Sequence, residues 1–268
     1  VAAGWHGRRR AGAGEAFWQY RPFVPGEPAA LVDWRRSARD DELRVREREW
    51  EAAHTVWLAP DLSASMDWGS RLATGTKRDR ALVLTLALAE LLGRAGERVG
   101  LVGRLAARSD RRAAERLAEA LARADGAEAL PAPAPLGAPC DLVVIGDFLD
   151  DPAAIEASLV ALAAEGARLH LARIVDPAEA LPPWTGNVEY RDPETGARFD
   201  ARRAEALRDA WARRWAAHGA ALADLARRRG WTLLVHATDR PPTEALLALH
   251  AALGGLRHGL GREPRGRP

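Results

Sequence analysis

From residue 54 onward, short unbroken apolar runs alternate with longer stretches of helical character. His54–Ala59 (HTVWLA), Arg98–Leu105 (RVGLVGRL), Asp141–Gly146 (DLVVIG), Arg168–Val175 (RLHLARIV) and Trp231–His236 (WTLLVH) are the runs. Their length and continuity predict strands buried on both faces, with Gly103 turning the second run into a short edge strand. Between them the pattern predicts helices over Lys77–Arg94 behind a Thr76 cap, Ala113–Arg123, Asp151 to Glu165, Ala201–Arg229 and Thr243–Leu253. The first of these is apolar nearly all round, which predicts burial against a sheet. Strand–helix alternation of this kind predicts an α/β fold: a doubly wound, mostly parallel sheet with helices on both faces. In such sheets ligands gather beyond the carboxyl ends of the strands, where the strand order reverses.

Before residue 54 the pattern differs. Residues 14–50 mix aromatic, proline, glycine and arginine, and Leu43-Arg44-Val45-Arg46 alternates with the period of a half-buried strand. We therefore expect a small β-rich region over 1–53, the α/β domain over 54–255 and a flexible tail over 256–268. The proline-rich stretch LPAPAPLGAP reads as a linker. Residues 176–199 read as irregular, with a hairpin around Pro193-Glu194-Thr195-Gly196.

Composition narrows the function classes. With 268 residues, 47% apolar and 28% charged, the chain can bury a sizeable core. The longest mostly apolar stretch, Ala81 to Leu92, carries Thr85 and Glu90 and falls short of the roughly 20 residues that span a bilayer. The opening residues lack the apolar core of an export signal, so a soluble, cytoplasmic protein is expected. The single cysteine, Cys140, excludes an internal disulfide and a multi-cysteine metal site. Net charge is only +2, and Lys77 is the sole lysine among 39 basic residues. Neither Arg8-Arg9-Arg10 nor the arginine-bearing tail forms a basic stripe with interleaved aromatics, so no nucleic-acid binding is expected.

Two strand ends carry candidate chemistry. One runs into Asp61-Leu62-Ser63-Ala64-Ser65, the other into Asp147. If these strands are neighbours at the switch point, Asp61, Ser63, Ser65 and Asp147 converge in one crevice. Hard oxygen donors of low total charge suit a divalent cation such as Mg²⁺ that keeps several waters. The alternative is local: the serines stabilise a turn and Asp147 caps the following helix.

Asp61-x-Ser63-x-Ser65 after an apolar strand resembles the metal-ion-dependent adhesion site of von Willebrand factor type A domains. The stretches Tyr20-Arg21-Pro22-Phe23-x-Pro25-Gly26-Glu27 and Val32-Asp33-Trp34-x-x-Ser37-Ala38-Arg39 are similar to the signature of the bacterial family called domain of unknown function 58. The likeness continues through Thr76-Lys77-Arg78, Gly96-Glu97-Arg98-Val99-Gly100 and Ile145-Gly146-Asp147-Phe148. Glu27 stands where the family pattern has Asp, and no threonine lies between Thr85 and Thr185 to supply the adhesion site's usual loop ligand. The resemblance implies a partial site and a non-enzymatic interaction module. It also implies partnership with a MoxR-type AAA+ ATPase, or with another protein that offers an acidic side chain to the cation.

The remaining motif residues, Asp33, Trp34, Ser37 and Arg39, have two readings. Arg35 and Arg39 could contact an acidic partner; alternatively Trp34 plugs the β-rich region against the main domain with Asp33 and Arg39 paired at that seam. Trp211 and Trp215, four apart on a helix, read as a core stripe. His170 and His236, inside strands, read as satisfied core residues. As an enzyme, the chain would be a Mg²⁺-dependent phosphatase of haloacid-dehalogenase type using Asp61 and Asp147. Position 63 is serine, however, where that chemistry needs a second acid, and Lys77 opens a helix close to the turn. No Gly-x-Ser-x-Gly elbow suggests a serine hydrolase.

Overall fold

The computed structural model describes residues 8–12, 16–24, 27–38, 42–123, 135–137, 139–163 and 166–255. Pro25, Gly26, Arg39, Glu165, most of the proline-rich stretch and the 256–268 tail lie outside the described residues.

The N-terminal part is antiparallel. Strands β1 (Arg8–Gly12) and β2 (Ala16–Pro22) flank β3 (Arg44–Ala52), with a register shift between Phe17 and Gln19. A single helical turn, α1 (Trp34–Ser37), sits between β2 and β3. Its first turn is capped by the Asp33 carboxylate, which accepts the Arg36 N–H at 3.0 Å.

The rest of the chain builds the α/β unit. In order it contains β4 (Thr55–Pro60), α2 (Lys77–Arg94), β5 (Arg98–Leu101), β6 (Leu105–Ser109), α3 (Ala113–Ala122), β7 (Asp141–Gly146), α4 (Pro152–Ala163) and β8 (Arg168–Val175). It closes with α5 (Pro177–Ala180), β9 (Val188–Arg191), β10 (Arg198–Ala201), α6 (Arg208–Arg229), β11 (Thr232–Ala237) and α7 (Pro242–Gly255). Among the described residues the main sheet has six strands in the order β11-β8-β7-β4-β5-β6. All neighbours are parallel except the edge strand β6, which folds back on β5.

Apolar burial on two faces explains why the layers hold. One core joins Val56, Leu58, Val143, Ile145 and Ile174 of the sheet to Leu84, Leu88 and Leu92 of α2, Leu117 of α3 and Leu249 of α7. The other joins Leu142, Val144, Leu169 and Leu171 to Ile155 and Leu159 of α4 and Leu222 of α6. Burying a leucine of this kind contributes about 1.5–3 kcal/mol. Helix α2 begins at a capping box, Thr76 with Asp79. It is less buried than its all-round apolarity predicts, since Val83 and Leu91 face outward. Helix α6 starts at Arg208 and not near residue 201, because Arg198–Ala201 is held as a strand against Val188–Arg191.

Strand β4 is the pivot. The chain leaves it through α2 to build β5 and β6 on one side, then crosses over to build β7, β8 and β11 on the other. The crevice therefore opens where β4 and β7 end together.

Candidate functional site

Asp61 follows β4, and its N–H donates to the Ile145 carbonyl at 2.7 Å, extending the ladder to β7 by one residue. Its carboxylate consequently lies directly against Gly146. A Cβ on residue 146 would stand 2.9 Å from Asp61 Cβ and 3.1 Å from its Oδ2. Glycine is what the close approach requires here.

The loop after Asp61 is tied down by its own bonds. Ser63 N–H donates to Asp61 Oδ1 at 2.8 Å, and the Ser63 and Ser65 hydroxyl oxygens lie 3.1 Å apart. Met66, fully buried, anchors the short turn that follows, and Arg78 of α2 reaches back to the Leu62 and Ser63 carbonyls. Ser63, at the N-cap of that turn, makes no side-chain cap hydrogen bond. Asp147 does not cap the next helix either: that role falls to Asp151, whose Oδ1 accepts the Ala153 N–H at 2.9 Å. The structure thus brings Asp61, Ser63, Ser65 and Asp147 to one crevice, while the loop that carries the serines is also held by its own hydrogen bonds.

Asp147 is aimed into the crevice by a sharp backbone turn. Phe148 has φ 50°, the left-handed region, where a non-glycine residue costs of order 1–3 kcal/mol. The turn is clamped from beneath. Arg173 Nε donates to the Asp147 carbonyl at 3.2 Å, His218 Nε2 lies 2.7 Å from the Phe148 carbonyl, and Arg173 stacks on Trp215 at 4.6 Å.

Lys77, at the start of α2, is 1% exposed and occupies the same crevice. Its ammonium donates to Asp147 Oδ2 at 2.7 Å and to Glu179 Oε1 at 2.5 Å. Glu179 is placed by the capping box that opens α5, where its Oε2 accepts the Asp176 N–H at 2.9 Å. From the opposite side Glu194, at the tip of the β9–β10 hairpin, accepts the Ser65 N–H at 2.7 Å. Sequence reasoning set Lys77 aside as a helix opener and missed both glutamates. The signals for the first two were the chain's sole lysine and the Asp176-Pro177-x-Glu179 box. Nothing local pointed to Glu194.

A cavity of about 820 Å³ opens over these groups, its far wall formed by Trp68, Trp184, Tyr190 and Trp211. Trp184 meets Trp68 and Tyr190 edge to face at centroid distances of 6.3 and 6.0 Å, and Tyr190 stacks on Trp211 at 6.4 Å. Trp211 is therefore a wall of this cavity and not part of a core stripe. Electrostatically the cavity floor is short of cations. Among the described residues no lysine or arginine pairs with Asp61. Burial pushes its carboxyl up to about 7 against the lowering hydrogen bonds from Ser63, with Asp147 and Glu194 adding to the rise.

The donor set fits a small hard cation. In a six-oxygen Mg²⁺ shell at about 2.1 Å, adjacent oxygens stand about 3 Å apart; the two hydroxyls, hydrogen-bonded to each other at 3.1 Å, would take such positions by giving up that bond. Among the described residues Asp61 has no lysine or arginine partner, while Asp147 shares Lys77 with Glu179. Among the described residues no three His, Cys, Asp or Glu side chains form a metal cluster.

The N-terminal motif divides in two. Ser37 is buried: its hydroxyl donates to the Asp33 carbonyl at 2.9 Å and accepts the Arg44 N–H at 2.8 Å. Asp33 also accepts from the Tyr20 hydroxyl at 3.2 Å. Trp34, by contrast, is 61% exposed, so it does not plug a seam. Arg39, the expected partner of Asp33, lies outside the described residues.

At the far end of the sheet Asp141 is fully buried, with His54 Nε2 at 2.6 Å and Arg168 Nε at 2.8 Å. His170 Nε2 stands 3.6 Å away, an ion-pair contact, and neither of its buried ring nitrogens makes a closer hydrogen bond among the described residues. His236 meets the expectation of a satisfied core histidine, 2.7 Å from Arg80 Nη1.

Fold and crevice together define a doubly wound α/β protein with an acidic, hydroxyl-bearing pocket at its switch point. The chain belongs to the family described as Protein of unknown function DUF58, which it matches over residues 19–221. It is similar to uncharacterized proteins of Mycobacterium bovis and Mycobacterium tuberculosis, each 31% identical over 253 residues, covering 85% of this chain and 76% of theirs. Among solved structures it resembles a conserved hypothetical protein BatB from Bacteroides thetaiotaomicron (TM-score 0.48, 15% identity, 77% of this chain and 100% of that one). A second is an aerotolerance-related membrane protein from Bacteroides fragilis carrying multiple mutations to serines (TM-score 0.42, 18% identity, 76% and 100%).

Proposed function

We propose that this protein is a non-enzymatic interaction module whose docking point is a divalent-cation site at the β4–β7 switch. The carrying observation is that Asp61, Ser63 and Ser65 share one pocket with Asp147, and that the buried Asp61 carboxylate pairs with no lysine or arginine among the described residues. Asp61 and the two hydroxyls would hold Mg²⁺, with Asp147 and Lys77 setting the charge behind it. A bound cation would supply an electrophilic point that accepts a carboxylate from a partner protein. By family resemblance the partner is a MoxR-type AAA+ ATPase, and the activity is chaperone-like or assembly work in the cytoplasm.

The phosphatase reading gains one point, since Lys77 does lie in the crevice. It still lacks a general acid two residues after Asp61, because Ser63 cannot protonate a leaving group at neutral pH. The test pairs two measurements. Mg²⁺ should raise the melting temperature of the wild type and not of the Ser63→Ala/Ser65→Ala variant, and p-nitrophenyl phosphate should not turn over. Turnover abolished by Asp61→Asn in a folded protein would replace the docking reading with the enzymatic one.

A further inference from the structure

Resting on the cation-site reading, we infer that Glu194 is the chain's own carboxylate occupant of that site, so that the β9–β10 hairpin is a built-in stopper over the docking point. Among the described residues the hairpin pairs only with itself and adds no strand to the main sheet. Its tip is nevertheless shaped in detail. Asp192 Oδ1 accepts the Glu194 N–H at 2.8 Å, its Oδ2 accepts the Thr195 hydroxyl at 2.8 Å, and Gly196 turns the chain with φ 71°. At its base Tyr190 packs on Trp184 and Trp211, which sets the direction in which the tip points.

The result is a carboxylate delivered to Ser65 from 129 residues away in sequence, with its Oε1 on the Ser65 N–H. Without a cation this placement sets like charges together, since Asp61 and Asp147 line the same pocket and Lys77 is already shared between Asp147 and Glu179. One hydrogen bond to a backbone N–H is a modest return against that crowding. A divalent ion among Asp61, the hydroxyls and Glu194 removes the conflict. An outside carboxylate would then have to displace Glu194, and the hairpin with it.

The experiment uses the full chain, Mg²⁺ as the probe ion and N-acetylaspartate methylamide as the probe carboxylate. Calorimetry reads Mg²⁺ affinity, and amide hydrogen exchange reads the hairpin over residues 188–201. In the wild type Mg²⁺ should bind and slow exchange at the hairpin tip. Glu194→Gln should weaken Mg²⁺ binding by about tenfold or more, abolish the ion's effect on exchange and let the probe carboxylate bind the Mg²⁺-loaded protein more tightly than it binds wild type. Equal Mg²⁺ affinity and equal protection in the two proteins would overturn the inference while leaving the cation site intact. Exchange accelerated equally with and without Mg²⁺ would make Glu194 a structural tether only and also overturn it. No Mg²⁺ binding by wild type, with Asp61→Asn indistinguishable, would remove the cation site and this inference together.

Discussion

Lys77 Nζ lies 2.7 Å from Asp147 Oδ2, joining the first turn of α2 to the end of β7 across 70 residues, with both side chains sealed from solvent. The same ammonium holds Glu179, so one cation balances two carboxylates, and burial raises Glu179 even with Lys77 beside it. Removing one partner of such a buried arrangement typically costs about 3–5 kcal/mol because the others are left uncompensated. Lys77→Met should therefore lose roughly that much stability at pH 7 in urea unfolding. The loss should shrink as pH falls and the stranded carboxylates take up protons. A loss that stays constant with pH would show that packing, and not charge, is what Lys77 supplies.

Gly146→Ala should push Asp61 out of place, because the new methyl would stand 2.9 Å from Asp61 Cβ. Overpacking of this kind costs about 1–3 kcal/mol. Gly100→Ala is the matched control, since its methyl would meet Trp57 Cζ3 at 2.6 Å, away from the crevice. Both should lower the melting temperature, but only Gly146→Ala should also lose the Mg²⁺-induced shift.

For Asp61 the pH dependence has a definite sign. Its folded-state pKa of about 7 lies above the ordinary 3.8, so between those values the folded protein holds a proton that the unfolded chain releases. Without metal, this residue's contribution to stability falls as pH rises from about 4 to about 7. Asp61→Asn should accordingly gain on wild type above pH 7 in chelator, and the two should converge near pH 4. Adding Mg²⁺ at pH 8 should reverse the order. Parallel stability curves for the two proteins would refute the assignment of Asp61 as an uncompensated buried acid.

Asp141 works in the opposite sense. Burial opposes its charge, but His170 and His54 beside it outweigh that penalty and hold the carboxyl well below the usual carboxylate range. Its stabilising contribution is present in full above about pH 4, the unfolded value, and is lost as pH falls toward the folded one. Asp141→Asn should be less stable than wild type at pH 7 by about 3–5 kcal/mol, as for other broken buried pairs, with the gap closing in acid. Urea titrations between pH 2.5 and pH 7 would check it, and a gap that persists unchanged to the acid end would contradict it.

Within the N-terminal motif, Ser37→Ala should cost about 1–2 kcal/mol through its two lost backbone bonds. Trp34→Ala should change stability by less than about 0.5 kcal/mol, as expected of an exposed side chain. Chemical denaturation of both variants separates the residue that builds the motif from the one it displays.

The fold was legible because continuous apolar runs such as Asp141–Gly146 have few other uses, and the switch-point rule then located Asp61 and Asp147. What stayed hidden depends on pairings far apart in the chain. Glu194 reaches Ser65 only because the β9–β10 hairpin folds over the crevice, and no local pattern encodes that. Lys77 was discounted on its sequence position, although a lone lysine in an arginine-rich chain marks a place where a compact, narrow-headed cation is wanted. Trp34 was misread because a tryptophan beside a capping aspartate looks like a packing residue until its exposure is known.

The excursion between β8 and α6 carries one more consequence. Among the described residues its two strands bond to each other and to no strand of the main sheet, so their length and tip sequence can change without shifting any register in the six-stranded core. Residues 192–196 can therefore be exchanged without disturbing the six-stranded sheet, whereas any exchange that loses Glu194 changes what reaches Ser65.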